Sequence, residues 1–251
     1  MRLFYFSGGP RERVLHRLVE DGHEIAAVYV NNPEKYPKVT PTIDAARGYG
    51  LDVNIIRRAD LPNVAEIVRD EVCLSVGFNT LLPPFVLDAA KVFLNVHGTL
   101  LPRYRGGTAP WMIERGDTEN GITVHALDAG LDTGPIVTQR SYPIGPFDTW
   151  RSIQRRGLEI EPDVVCEALA LYEQHGDECL KPQSEFVDPE LPNRIVSEHA
   201  KLDPSRPLVE LIDQIRSWDA DAAPAYFIHH GERVCVKLWR PDKPSSEGDM
   251  I

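Results

Sequence analysis

The sequence predicts an α/β fold, a doubly wound and mainly parallel sheet with helices on both faces, extended by a small C-terminal helix plus β-hairpin. Two observations carry this expectation. Short apolar runs alternate with segments of helical periodicity through the first half of the chain, and a proline-containing polar connector precedes one amphipathic helix and two alternating arms near the end. Parallel neighbours need crossover connections, so β/α alternation points to a parallel sheet.

The elements follow in order. MRLFYF is an apolar strand, SGGP a turn, and residues 12–22 a helix with Val14, Leu15, Leu18 and Val19 at helical spacing. HEIAAVYV reads as the second strand, TIDAARGYG as a helix ending at glycine, LDVNII as the third strand, and NVAEIVRD as a helix leading into VCLSVGF. After Pro83-Pro84 a short helix, FVLDAA, precedes the strand VFLNVH. Such a Rossmann-like sheet binds ligands beyond the carboxyl ends of its strands. Both SGGP and the pair Asn95 and His97 lie at such ends.

ITVHAL and PIVTQRSYPI read as further strands joined by DAGLDTG. A long helical stretch from Thr149 to His175 follows, in which Pro162 is expected to interrupt or restart the helix. PLVELIDQIRSW is amphipathic, and AYFIHHGERVCVKLWRP reads as a hairpin turning at His230-Gly231. The expected organisation is a main domain over 1–180, a connector over 181–206, the helix and hairpin over 207–241, and a disordered tail over 242–251.

With hydrophobic residues at 42% and charged residues at 26%, the 251-residue chain has the composition of a globular protein with a real core. A formal net charge of −11 argues against nucleic acid as a partner, because a phosphate backbone needs a basic footprint. No apolar run approaches the ~20 residues that cross a bilayer. MRLFYFSGGP lacks the long apolar segment of a secretory signal, so no membrane partner and a cytoplasmic location are expected. Cys73, Cys166, Cys179 and Cys235 are far apart, without metal-ligand or disulfide spacing, and no metal is expected.

The chemistry centres on NVHGTLLPRYRGGTAPW, residues 95–111. Residues i and i+2 of a strand share a face, so Asn95 and His97 project together from the strand's end. Asp132, in DAGLDTG, lies in a loop that a doubly wound sheet can bring to the same edge. A carboxylate beside an imidazole orients its ring, and an amide can hydrogen-bond an oxygen that becomes negative during attack. Together these groups suit acyl transfer to a neutral amine, with Asn95 and His97 stabilising the oxyanion and His97 with Asp132 handling the proton. No Ser, Cys or Lys has an evident activating partner, which favours direct transfer. His125 reads as an ordinary strand side chain.

These motifs resemble the core of the formyltransferases that use 10-formyltetrahydrofolate. That family has Asn-X-His, then Ser-Leu-Leu-Pro-X-Tyr-Arg-Gly, then Asp-X-Gly-X-Asp-Thr-Gly, and the match spans residues 93–137 in the same order. The resemblance implies catalytic Asn95, His97 and Asp132 and 10-formyltetrahydrofolate as co-substrate. It also implies a pterin pocket built by GFNTLLP, with Phe78, Thr80, Leu81 and Leu82, and by the loop carrying Asp128, Gly130 and Asp132. Gly8, Tyr104, Arg105 and Gly106 are expected on the acceptor side. Gly98 and Thr99 depart from the usual Pro and Ser of the family.

The tail resembles that of sugar-nucleotide N-formyltransferases, which implies a nucleotide-linked amino sugar as small-molecule substrate, a role in surface polysaccharide (lipopolysaccharide) biosynthesis, and a homodimer. Phe227, Val234, Val236 and Leu238 form the hairpin's apolar face, which could pair subunits or pack on its own domain. Methionyl-tRNA and glycinamide ribonucleotide are the competing acceptors. The short tail differs from the C-terminal barrel of the tRNA enzymes, while the tail itself is unexplained for a glycinamide ribonucleotide enzyme. A dinucleotide reductase would need GxGxxG where SGGP stands. A non-catalytic protein on the same fold would not need the intact Asn95, His97 and Asp132.

Overall fold

The computed structural model describes residues 1–106, 110–183 and 196–251. Its central sheet has seven strands in the order β3-β2-β1-β4-β5-β6-β7: β1 Arg2–Ser7, β2 Glu24–Val30, β3 Val53–Ile55, β4 Val72–Val76, β5 Val92–His97, β6 Glu119–Ala126 and β7 Ile136–Pro143. β1 to β5 pair in parallel, and β5 pairs with β6 antiparallel. The chain therefore winds outward in both directions from β1 and β4, and their carboxyl ends form the switch point where ligands bind in such sheets.

Alternation along the strands supplies two apolar layers. Leu3, Tyr5, Leu74, Val76 and Leu94 pack with α1 (Glu12–Glu20), α2 (Thr40–Gly48) and the latter part of α6 (Trp150–His175). Phe4, Phe6, Cys73 and Phe93 pack on the other face with α3 (Leu61–Ile67) and α4 (Pro84–Leu87). Burial on both faces explains why these strands read as nearly continuous apolar runs. Phe6 anchors the second layer, its ring 4.8 Å from those of both Tyr29 and Phe93.

Pro162 does not interrupt the long helix, which is continuous over Trp150–His175. A proline costs about 3 kcal/mol inside a helix. Burial of Val164, Val165, Ala168 and Leu169 just beyond it is large enough to offset that cost.

The chain forms two compact units. One comprises Met1–His97, Ile122–Arg140 and Ile160–Glu185; the other comprises Gly98–Gly121, Ser141–Glu159 and Phe186–Ile251. The second unit holds α5 (Trp111–Glu114), α7 (Leu208–Ser217) and the hairpin of β8 (Tyr226–His229) and β9 (Glu232–Cys235). Positive φ at His230 and Gly231 fits the expected two-residue turn. This region has a core of its own, in which Leu202, Leu211, Ile215, Trp218 and Tyr226 are buried and Phe227, Val236 and Leu238 pack against them. Val234 remains more exposed.

Residues 242–251, expected to be disordered, instead make a short turn at Ser245–Glu247. Ile251 is buried, and its amide donates to the Phe147 carbonyl. Residues 184–195 of the expected connector, and 107–109 of the glycine-rich motif, lie outside the described residues. Among the described residues no helix is long and apolar enough to cross a membrane, and the four cysteines are unpaired.

Candidate active site

Asn95 and His97 leave β5 on one face, as their spacing predicts. The antiparallel register places His125 of β6 opposite Asn95 and Thr123 opposite His97. The loop after β6 then returns Asp132 to both imidazoles. Its Oδ2 is 3.4 Å from His97 Nδ1, and its Oδ1 is 3.6 Å from His125 Nε2. Both the His97 and Asp132 side chains are 13% exposed, shielded enough for strong electrostatics yet open to a ligand.

His125 is fully buried and is more than a strand side chain. Its Nδ1 lies 2.9 Å from the Ala126 carbonyl, which can only accept, so Nδ1 carries the proton. With Nδ1 as the donor, Nε2 accepts from the Asn95 amide, 3.2 Å away. That contact orients the carboxamide.

The Asp132 loop is tightly specified. Asp128 Oδ1 accepts from the Gly130 amide at 3.0 Å and from the Thr133 hydroxyl at 2.6 Å. Asp132 adopts φ 53°, an uncommon conformation for a residue with a side chain. Gln183 Nε2 braces the turn by donating to the carbonyls of Asp132 at 2.9 Å and Gly134 at 2.7 Å. A Cβ on Gly134 would lie 1.9 Å from the Ala126 carbonyl oxygen, and one on Gly130 equally close to the Thr133 hydroxyl. Backbone packing requires glycine at 134, and a side chain at 130 would displace the Thr133 hydroxyl that donates to Asp128.

A cavity of about 250 Å³ opens beside these groups. Phe78, Asn79, Thr80, Leu81 and Leu82 line one side; Asn95, Asp128, Gly130, Leu131 and Asp132 line another. Leu81 is 84% exposed and Leu131 46% exposed, so two large apolar side chains stand at the pocket in solvent. That combination suits a flat heteroaromatic ring with polar edges, which would cover the leucines while its edge meets backbone groups. Among the described residues no His, Cys, Asp or Glu cluster could hold a metal ion.

Of the expected acceptor-side residues, Gly8 lies in the first compact unit and Tyr104, Arg105 and Gly106 in the second. Gly8 is accounted for by packing: a Cβ there would lie 2.3 Å from Asn31 Oδ1 and 2.5 Å from the Gly77 carbonyl oxygen. Tyr104 is buried, and its hydroxyl donates to Asp117 Oδ2 at 2.7 Å. Burial and that carboxylate push the phenol well above its ordinary pKa. Arg103 reaches the same carboxylate at 2.8 and 2.9 Å, and the Thr99 hydroxyl donates to the carbonyls of Arg103 and Tyr104. The structure thus makes Tyr104 an anchor of its own segment.

Sequence reasoning missed His125, Gln183, Asn31 and Asn79. An antiparallel β6 would have revealed His125 opposite Asn95, but strand direction has no signature in the run ITVHAL. Gln183 lies in a polar stretch without any pattern.

Residues 7–169 match the family model described as formyl transferase. A methionyl-tRNA formyltransferase from Gluconobacter oxydans (strain 621H) is 32% identical over 229 residues, covering 86% of this chain and 73% of the relative. Among solved structures, a sugar N-formyltransferase from a Shewanella species superposes with a TM-score of 0.72 at 20% identity, covering 95% of this chain and 97% of that one. HypX from Aquifex aeolicus in complex with tetrahydrofolic acid superposes with a TM-score of 0.64 at 22% identity, over 94% of this chain and 37% of that one. The chain belongs to the formyl transferase family.

Proposed function

We propose that this formyl transferase family member moves a formyl group from 10-formyltetrahydrofolate to the amino group of a nucleotide-linked amino sugar. The observation that carries the reading is the convergence of Asn95, His97 and Asp132 at the edge of a cavity lined by the 78–82 and 128–132 segments. Phe78, Thr80, Leu81 and Leu82 would hold the pterin with Asp128 and Gly130, and the bound donor supplies an acyl group whose leaving group is the folate N10.

The Asn95 amide, fixed by His125, donates to the formyl oxygen as it gains negative charge. His97, held by Asp132, takes the proton that the attacking amine loses, directly or through one water. As the carbon–N10 bond breaks, N10 takes up a proton and the amine keeps the formyl group. Asp132, beside Nδ1 of that ring, stabilises the imidazolium.

The acceptor reading is supported by likeness to a sugar N-formyltransferase across nearly the whole of both chains, and by the net charge of −11, which opposes tRNA. Methionyl-tRNA is the competing acceptor, favoured by the name of the sequence relative. The same reading includes a cytoplasmic location, a role in surface polysaccharide synthesis and a homodimer paired through the hairpin, on whose apolar face Val234 is exposed. Purified protein supplied with 10-formyltetrahydrofolate and a panel of nucleotide-linked 3-amino and 4-amino sugars should yield a product heavier by one formyl group. Formylation of methionyl-tRNA or glycinamide ribonucleotide, with none of any sugar, would overturn the acceptor assignment.

A further inference from the structure

Three strand ends meet at one buried side chain outside the reacting cluster. Asn31 follows β2 and is 2% exposed. Its backbone amide donates to the Ser7 carbonyl at 3.1 Å, which ties it to the end of β1. Its carboxamide uses both ends on the loop after β4: Nδ2 donates to the Thr80 hydroxyl at 2.7 Å, and Oδ1 accepts from the Asn79 backbone amide at 2.8 Å. Asn79 Nδ2 in turn donates to the Gly8 carbonyl at 3.4 Å. The bare Cα of Gly8 admits this arrangement, since a Cβ would lie 2.4 Å from Asn79 Nδ2. Asn79 and Thr80 line the cavity together with Asn95 and Asp132.

We infer that Asn31 is a positioning residue for the formyl donor: it sets the backbone of residues 79–82, against which the donor's ring lies, without itself touching the reacting atoms. The inference rests on the reading of that cavity as the folate site. The carboxamide is the side chain that supplies a donor and an acceptor from one planar group in this space. A leucine of similar volume would leave the Asn79 amide and the Thr80 hydroxyl without these partners inside the protein. The loop would relax toward other partners, and the cavity would lose its shape. Asn31→Asp keeps the acceptor for the Asn79 amide and can accept from the Thr80 hydroxyl.

The test measures donor and acceptor KM, kcat, and tetrahydrofolate affinity by titration calorimetry for the wild type, Asn31→Leu, Asn31→Asp, Thr80→Val and the Asn31→Leu/Thr80→Val double variant. Asn31→Leu is expected to raise the donor KM and weaken tetrahydrofolate binding about tenfold, the net scale of its two lost hydrogen bonds, while the acceptor KM stays within about threefold. Asn31→Asp should recover part of the loss. The effects of Asn31→Leu and Thr80→Val should be less than additive, because each removes the same contact. If Asn31→Leu does not fold, Thr80→Val alone must still raise the donor KM selectively. Unchanged donor KM and tetrahydrofolate affinity in the folded variants would overturn the inference, as would equal changes in donor and acceptor KM. A wild type that binds no folate would instead overturn the reading of the cavity.

Discussion

The two compact units fix their polar groups by different means. In the first, Asn95, His97 and His125 are placed by strand register, each on a backbone already set by the sheet and its buried layers. In the second, anchoring comes from arginines pairing with distant partners. Arg216, only 7% exposed, donates to the carbonyls of Gly145 and Asp148 and to the Asp213 carboxylate. Arg156 donates to both oxygens of Asp148, and Arg151 to Asp219. Strand placement positions polar side chains precisely at little entropic cost, whereas ion pairs fold a segment that has few strands. The first unit should therefore respond to point changes through activity, and the second through stability.

Changes at the reacting cluster test that contrast most severely. Asp132→Asn should lower kcat about 10³-fold in a formylation assay with little change in melting temperature, because the imidazole loses its orienting carboxylate. A loss under tenfold would break the assignment. His125→Leu should cost less, about 10- to 100-fold in kcat, by freeing the Asn95 carboxamide. If activity were unchanged, the orientation of Asn95 would not depend on His125.

In the second unit, Asp148→Ala should destabilise by about 2–4 kcal/mol in urea unfolding, since it strips a buried carboxylate from Arg156, the Ser152 hydroxyl and the Gly145 amide. Burial works to raise the Asp148 carboxyl, yet these partners hold it below its ordinary value. Its contribution is therefore present above the unfolded carboxylate pKa of about 3.9 and lost as pH falls below that. Hydrogen exchange in the second unit should accelerate there in the wild type.

Glu161, in the first unit, has the opposite sign. Burial pushes its carboxyl up to about 7, against the pull of Arg11 at 3.1 Å. A raised acid binds its proton more tightly when folded, so its contribution is greatest at low pH and declines as pH rises from about 4.3 toward 7. Glu161→Gln should remove that decline, seen as melting temperatures nearer the wild type at pH 5 and above it at pH 8. Parallel pH dependences for the two proteins would show that Glu161 is ionised throughout.

The same contrast explains what could be read from the chain. Alternating apolar residues in MRLFYF and VFLNVH defined the strands, and i, i+2 spacing put Asn95 and His97 on one face. Asp132 was found by its motif. His125 was passed over because a strand's direction leaves no periodic mark. Arg216 and Asp148 meet across 68 residues, a pairing that no local pattern announces. The continuity of the helix through Pro162 depends on burial beyond the proline, which only the packed structure reveals.

The central claim, that the Asn95, His97 and Asp132 cluster performs formyl transfer beside a folate pocket, is tested most directly by His97→Asn. Product formation from 10-formyltetrahydrofolate and tetrahydrofolate affinity would be measured on the same preparation. The expected result is turnover reduced at least about 10³-fold with folate affinity within about threefold of the wild type. Retained turnover in a variant that still binds folate would contradict the account.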